Sequence, residues 1–104
     1  MSTYAWIITT DHLYEPGDDL FENETGVVGP RSASGEAVAA VQTGKGRLFR
    51  MYDGDGELYY TGRLYDLSGE YGEEACYAPL GDFGMPNAGA VEVKYHGHPE
   101  MDCG

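Results

Sequence analysis

Two alternating segments around a glycine-rich turn constrain this chain more than any other feature. Arg47-Leu-Phe-Arg-Met-Tyr52 runs into Asp53-Gly-Asp-Gly56 and then into Glu57-Leu-Tyr-Tyr-Thr-Gly-Arg-Leu-Tyr65. Period-two alternation of aromatic and aliphatic residues, bounded by Asp and Gly, specifies a β-hairpin. A two-residue turn at Asp55-Gly56 and a four-residue loop give the same facing, because both shift the register by an even number. Phe49 and Met51 then share the core side with Leu58, Tyr60 and Leu64. Leu48, Arg50 and Tyr52 join Tyr59, Thr61, Arg63 and Tyr65 on the other side. Gly62 falls on the core side, where the missing Cβ admits a close neighbour.

The flanking segments complete a small sheet. Tyr4 to Thr10 is a strand with Trp6 and Ile8 on one face and Ala5 and Ile7 on the other, so it is central. Gly26 to Pro30 is a short extended segment closed by a turn. Ser32 or Ser34 caps a helix of about ten residues, with Glu36 in its first turn and Val38 and Val41 on its apolar stripe; Gly44 stops it. Asp11 to Thr25 is a long loop that Leu13, Leu20 and Phe21 pin to the core. Cys76 to Leu80 reads as a short edge strand. Gly81 to Gly89 reads as turn material, with Phe83 and Met85 as plugs. Ala90 to Tyr95 is the last strand, with Val91, Val93 and Tyr95 inward. The expected fold is α+β: a small antiparallel sheet of four to five strands with one short helix on one face. The core is Trp6, Ile8, Phe49, Met51, Tyr60, Leu64, Val91 and Val93. Residues 1–96 form one domain, and 97–104 are a C-terminal tail.

Charge restricts what such a domain does. Its 104 residues carry 18 Asp and Glu against 6 Lys and Arg, a formal net charge of -12. Asp11 to Glu24 holds six acids and Asp66 to Asp82 five, and neither tract holds a Lys or Arg. Such a field repels nucleic acid and anionic membrane and attracts basic protein surfaces or cations. With 41% hydrophobic residues and nine Tyr, the chain still has the material for a core. No apolar run approaches the ~20 residues of a membrane span. The N-terminus lacks the basic and apolar regions of a signal peptide, which points to a cytoplasmic protein with Cys76 and Cys103 reduced.

Motifs for chemistry are absent or incomplete. Asp53-Gly-Asp-Gly-Glu57 resembles the start of a calcium loop, but Leu58 stands where the sixth-position Gly belongs and Leu64 where the twelfth-position Glu belongs. It reads as a hairpin turn. His96, His98, Asp102 and Cys103 are acceptable metal donors, but they lie in the expected tail without a paired motif. Gly44-Lys-Gly46 lacks the full phosphate-loop pattern. No nucleophile elbow is present, and the acids around Cys76 would blunt its thiol. The chain is therefore expected to be non-enzymatic, with no cofactor and no metal. The Arg50, Arg63, Tyr52, Tyr59 and Tyr65 side of the hairpin is rich in residues that anchor interfaces. It is either an external interface or a face covered by a second layer, with its arginines paired to acids.

Three segments together resemble a family of small acidic proteins from actinobacterial phages and related genomes. They are Gly26-Val-Val-Gly-Pro-Arg31, the hairpin from Phe49 to Arg63, and Pro79-Leu-Gly-Asp-Phe-Gly-Met-Pro-Asn-Ala-Gly89. The chain departs from that pattern in Gly54, in the acidic stretch near Asp18 and in its His-containing C-terminus. The resemblance implies an origin and carries over no catalytic residue. On these grounds the expected function is an accessory binding protein of phage type. It would act in the host cytoplasm as a nucleic-acid mimic that occludes a basic surface of a host or defence protein, a CRISPR effector being one candidate. The expected partner-binding residues are Asp18, Asp19, Glu22 and Glu24, then Tyr52, Asp53, Asp55, Glu57 and Tyr59, then Glu70, Glu73 and Glu74. The rival reading is an assembly module, a homo-oligomer joined through the Tyr-rich hairpin face.

Overall fold

The structure is a computed structural model, and it describes residues 1–17 and 22–104. Five antiparallel strands form one sheet in the order β2-β1-β4-β3-β5. They are β1 Tyr4–Asp11, β2 Val28–Gly29, β3 Arg47–Tyr52, β4 Leu58–Asp66 and β5 Glu92–Tyr95. The hairpin pairs Phe49 with Gly62 and Met51 with Tyr60, as its alternation demands. Beyond Met51 the register slips and Tyr52 pairs with Leu58. The shift is therefore not the even number expected, and Leu58 lies on the Tyr52 side instead of the core side. A Cβ on Gly62 would run into the Ile7 carbonyl and the Phe49 ring, so the glycine is what lets β1, β3 and β4 close on one another there.

Both faces of the sheet are covered. Helix α1, Gly35–Gln42, is capped by Ser34, whose Oγ accepts the Ala37 N–H at 3.2 Å. It buries Ala37 and Val41 against Ala5, with Ile7 and Tyr65 at the edge of this smaller cluster. The opposite face carries the main core, in which Trp6, Ile8, Phe49, Met51, Tyr60, Leu64 and Val93 are all buried. Above them lies α2, Glu73–Ala78, which continues through a π-helical turn, Pro79–Gly84, into α3, Met85–Ala88. The α+β class with a five-stranded sheet is as expected. The single helix on one face is not.

The missed helix occupies the segment expected as an edge strand and turns. Pro79, Pro86 and three glycines read as breakers there. The wide π-helical turn admits Pro79 at its start, where a missing N–H costs least. Ala75, Ala78, Leu80 and Phe83 all point into the core. Their spacing of two to three residues was the legible helical signal. Val91 is a second correction. It is 48% exposed, because β5 begins at Glu92 and the buried residue ahead of it is Ala90.

The C-terminal segment, expected as a tail, docks on the sheet. A 3-10 turn, Pro99–Met101, reverses the chain so that Cys103 pairs antiparallel with Val93 through two backbone hydrogen bonds of 2.9 and 3.0 Å. The Asp102 carboxylate accepts the Tyr95 N–H at 2.7 Å, and Met101 is buried in the main core. This return covers the free edge of β5.

Candidate functional site

The sheet separates the expected binding residues into two ends. Asp53, Asp55, Glu57 and Tyr59 sit at the hairpin tip, and Glu22 and Glu24 lie beside them on the loop after β1. Glu70, Glu73 and Glu74 gather at the start of α2, next to the far end of β4, where the Tyr4 hydroxyl donates to Glu74 at 3.3 Å. The nine residues of β4 hold these ends roughly 26 Å apart at ~3.3 Å per residue. Asp18 and Asp19 lie outside the described residues.

At the hairpin end, two β-bulges shape a concavity. Register slips between Ile8 and Thr10 on β1, which leaves Thr9 without a partner, and between Met51 and Tyr52 opposite β4, which does the same for Tyr59. A bulge bends its strand and re-aims a side chain. Here it turns Tyr59 away from the Arg50 side, and Tyr59 joins Tyr14 and Tyr60 around a cavity of about 640 Å³. Asp11, Glu22 and Glu24 supply its charge, and Asn87 and Ala88 of α3 close it. No Lys or Arg lines it among the described residues.

Each acid has a different duty. Asp11 organises the wall: one oxygen accepts the Leu13 and Tyr14 N–H groups at 2.9 and 3.2 Å, the other the Glu24 N–H at 3.1 Å. Asp53 is also occupied by its own loop, accepting the Asp55 and Glu57 N–H groups at 2.8 Å each. The hydrogen bond from Glu57, with the others of the loop, holds the Asp53 carboxyl below its ordinary range. Asp53 thus shapes the tip, and Asp55 and Glu57 are the acids it displays. Hydrogen bonding to Asp53 raises the Tyr59 phenol, and burial, followed by Asp11 and Glu24, pushes Tyr60 up to about 12. Both phenols are therefore neutral at physiological pH.

The arginine-bearing side of the hairpin is divided. Helix α1 packs over β1 and β4 and takes Tyr65. Arg50 and Tyr52 stay half-exposed, and β5 sets Lys94 beside Arg50 and Glu92 beside Tyr52. Lys94 lies 3.7 Å from Glu92 and 5.6 Å from the Tyr52 ring centre. Among the described residues neither Arg50 nor Arg63 pairs with an acid, the alternative the sequence offered for a covered face: Arg63 donates to the Gly46 carbonyl at 3.0 Å. Arg47 instead stacks on Tyr71, 3.9 Å from the ring centre. Two contacts were invisible in the sequence. The Trp6 Nε1–H donates to Asp82 at 3.1 Å, and the Tyr95 hydroxyl donates to the Cys76 carbonyl at 2.8 Å.

The metal donors of the C-terminus are dispersed. Asp102 is held by β5, Cys103 contacts the Met101 carbonyl, and His98 contacts Glu100. Among the described residues, no group of three or more His, Cys, Asp or Glu is placed to hold a metal ion. Both cysteines are free thiols, raised by burial. No described helix is long and apolar enough to cross a membrane. Compared with known protein families, curated proteins and solved structures, the chain matches none.

Proposed function

We propose that this protein is a non-enzymatic binding module whose hairpin end docks on a basic, nucleic-acid-binding surface of another protein and occludes it. The observation that carries this reading is the composition of that end. Asp11, Glu22 and Glu24 line a tyrosine-walled concavity with no Lys or Arg in its lining among the described residues, and Asp55 and Glu57 lie on the adjoining hairpin loop. Carboxylates there stand where phosphates would stand and release the counterions of a Lys/Arg-rich groove. Tyr59 in the concavity and Tyr52 on the opposite side of the hairpin add contact area that salt does not screen. The resemblance to small phage proteins directs the search for the partner to host and defence proteins.

The test is a capture from host lysate with salt-graded elution, followed by kinetics on the partner obtained. Neutralising Asp18, Asp19, Glu22 and Glu24 together should slow association and flatten its salt dependence. Tyr52→Ala with Tyr59→Ala should speed dissociation instead. An acid variant with the parent's affinity and salt slope would show that the acidity serves solubility alone. DNA and RNA should not bind.

The rival reading, self-assembly through the hairpin face, meets an obstacle in the structure. That face presents Arg50 and Lys94 side by side. A two-fold contact would set like charges against each other. Sedimentation should give a monomer at both low and high salt.

A further inference from the structure

One group in the cavity at the hairpin end is left unused by the fold. Tyr60 is 3% exposed, and its ring packs edge-on against Phe83 with centres 4.9 Å apart. Its hydroxyl has no hydrogen-bond partner among the described residues. No side-chain oxygen or nitrogen there is both sealed from solvent and unpartnered, so the remaining exposure of Tyr60 lies at its hydroxyl, in the cavity wall. The ring is thus held by the core while the hydroxyl is open to the cavity and free to bond an occupant. Glu22 and Glu24 line the same space, together with Tyr14 and Tyr59. Asp11 is already engaged by three backbone N–H groups, so the wall is built before any ligand arrives.

We propose that this cavity binds a single guanidinium group, the arginine side chain of a basic partner protein. The inference rests on the reading of the hairpin end given above and names what enters it. A guanidinium is planar and weakly hydrated, stacks on aromatic faces and donates through a rigid fork. Glu22 and Glu24 accept that fork, and the Tyr60 oxygen accepts one further N–H. An ammonium is more strongly hydrated and offers no flat face to the tyrosines, so lysine fits less well. The volume, about 640 Å³, lies within the ~300–1,000 Å³ of ligand clefts and leaves room for the side chain that carries the guanidinium.

The probe is N-acetyl-arginine amide, titrated into the full chain and followed by amide NMR. N-acetyl-citrulline amide is the neutral isostere and N-acetyl-lysine amide the ammonium counterpart. Arginine should give saturable shifts confined to the cavity lining, among them Tyr14, Glu22, Glu24, Tyr59, Tyr60 and Ala88. Citrulline should give none, and lysine should bind at least fivefold more weakly. Tyr60→Phe and Glu24→Gln should each weaken arginine at least fivefold. Changing Glu70, Glu73 and Glu74 to Gln at the far end should leave it within twofold. The proposal is overturned by shifts spread over every acidic surface, by an equal response to citrulline or lysine, or by Tyr60→Phe and Glu24→Gln both binding within twofold of the parent. If the arginine site fails while basic proteins are still captured with a steep salt slope, only the cavity assignment falls. If capture fails as well, the reading beneath it falls too.

Discussion

Asp66 shows how a single acid is put to structural use in a chain that carries so many. It is the one buried charged residue among those described, 6% exposed at the end of β4. Burial alone would raise its pKa. Hydrogen bonds from the Ser68 hydroxyl and N–H, the Tyr71 N–H and the Thr3 hydroxyl outweigh that and hold it below the ordinary carboxylate value. They also help keep Tyr71 in the left-handed region at φ 47, which a non-glycine residue adopts at a cost. Asp66→Asn keeps the shape but turns an N–H₂ toward donors, and it should cost about 2–3 kcal/mol at neutral pH. Because the folded pKa lies below the unfolded value of about 3.9, the stabilisation is complete above that value and disappears as pH falls through the folded one. Chemical denaturation should therefore show the gap between parent and variant closing in acid. A gap unchanged at pH ~2 would contradict this account.

At the scale of elements, the sheet's two edges are finished differently. Edge strand β2 has only two residues, too short to template another chain. β5 is covered by the returning C-terminus, which the sequence did not announce. His96, Gly97 and Pro99 read as a turn and a tail, and nothing in the spacing marks Met101 as an anchor. Removing residues 98–104 should cost about 4 kcal/mol or more: roughly 1.5–3 for exposing Met101, about 0.5–1.5 for each of the two backbone bonds to Val93 and about 1.5–3 for the carboxylate bond to Tyr95. A thermal midpoint unchanged by the truncation would mean that the docking is energetically idle. The hairpin, strand β1 and the Ser34-capped helix were all legible, because each advertises itself through local period, cap and turn chemistry. The helix from Glu73 to Ala88 was not expected, because its prolines and glycines outweigh the helical spacing of Ala75, Ala78, Leu80 and Phe83 in the local signal.

For the whole molecule the deciding quantity is uncompensated charge. Against a formal net charge of -12, the described residues form two close ion pairs, Lys94 with Glu92 and His98 with Glu100, and the latter needs a protonated histidine. Repulsion among the acids therefore opposes the folded state and weakens as salt screens it. Raising NaCl from 10 mM to 0.5 M shortens the Debye length from about 30 Å to about 4 Å, and the thermal midpoint should rise by several degrees. A midpoint that falls would mean that attractive pairs dominate.

The sequence by itself determined the α+β class, the hairpin register as far as Met51 and Tyr60, most of the core and the excess of acid, because alternation, turn residues and charge are properties of neighbours along the chain. It named Asp53 and Tyr59 alongside Glu22 and Glu24 without showing which of them meet. Only the tertiary structure decided that. Two bulges turn Tyr59 toward the loop, Asp53 is absorbed by its own turn, and Glu70, Glu73 and Glu74 are carried to the other end of the sheet. It also brought Tyr60, which the sequence marks only as core, to the wall of a cavity with its hydroxyl unpaired among the described residues. A cavity is defined by residues far apart in sequence that the sheet places side by side, so no local pattern along the chain encodes it.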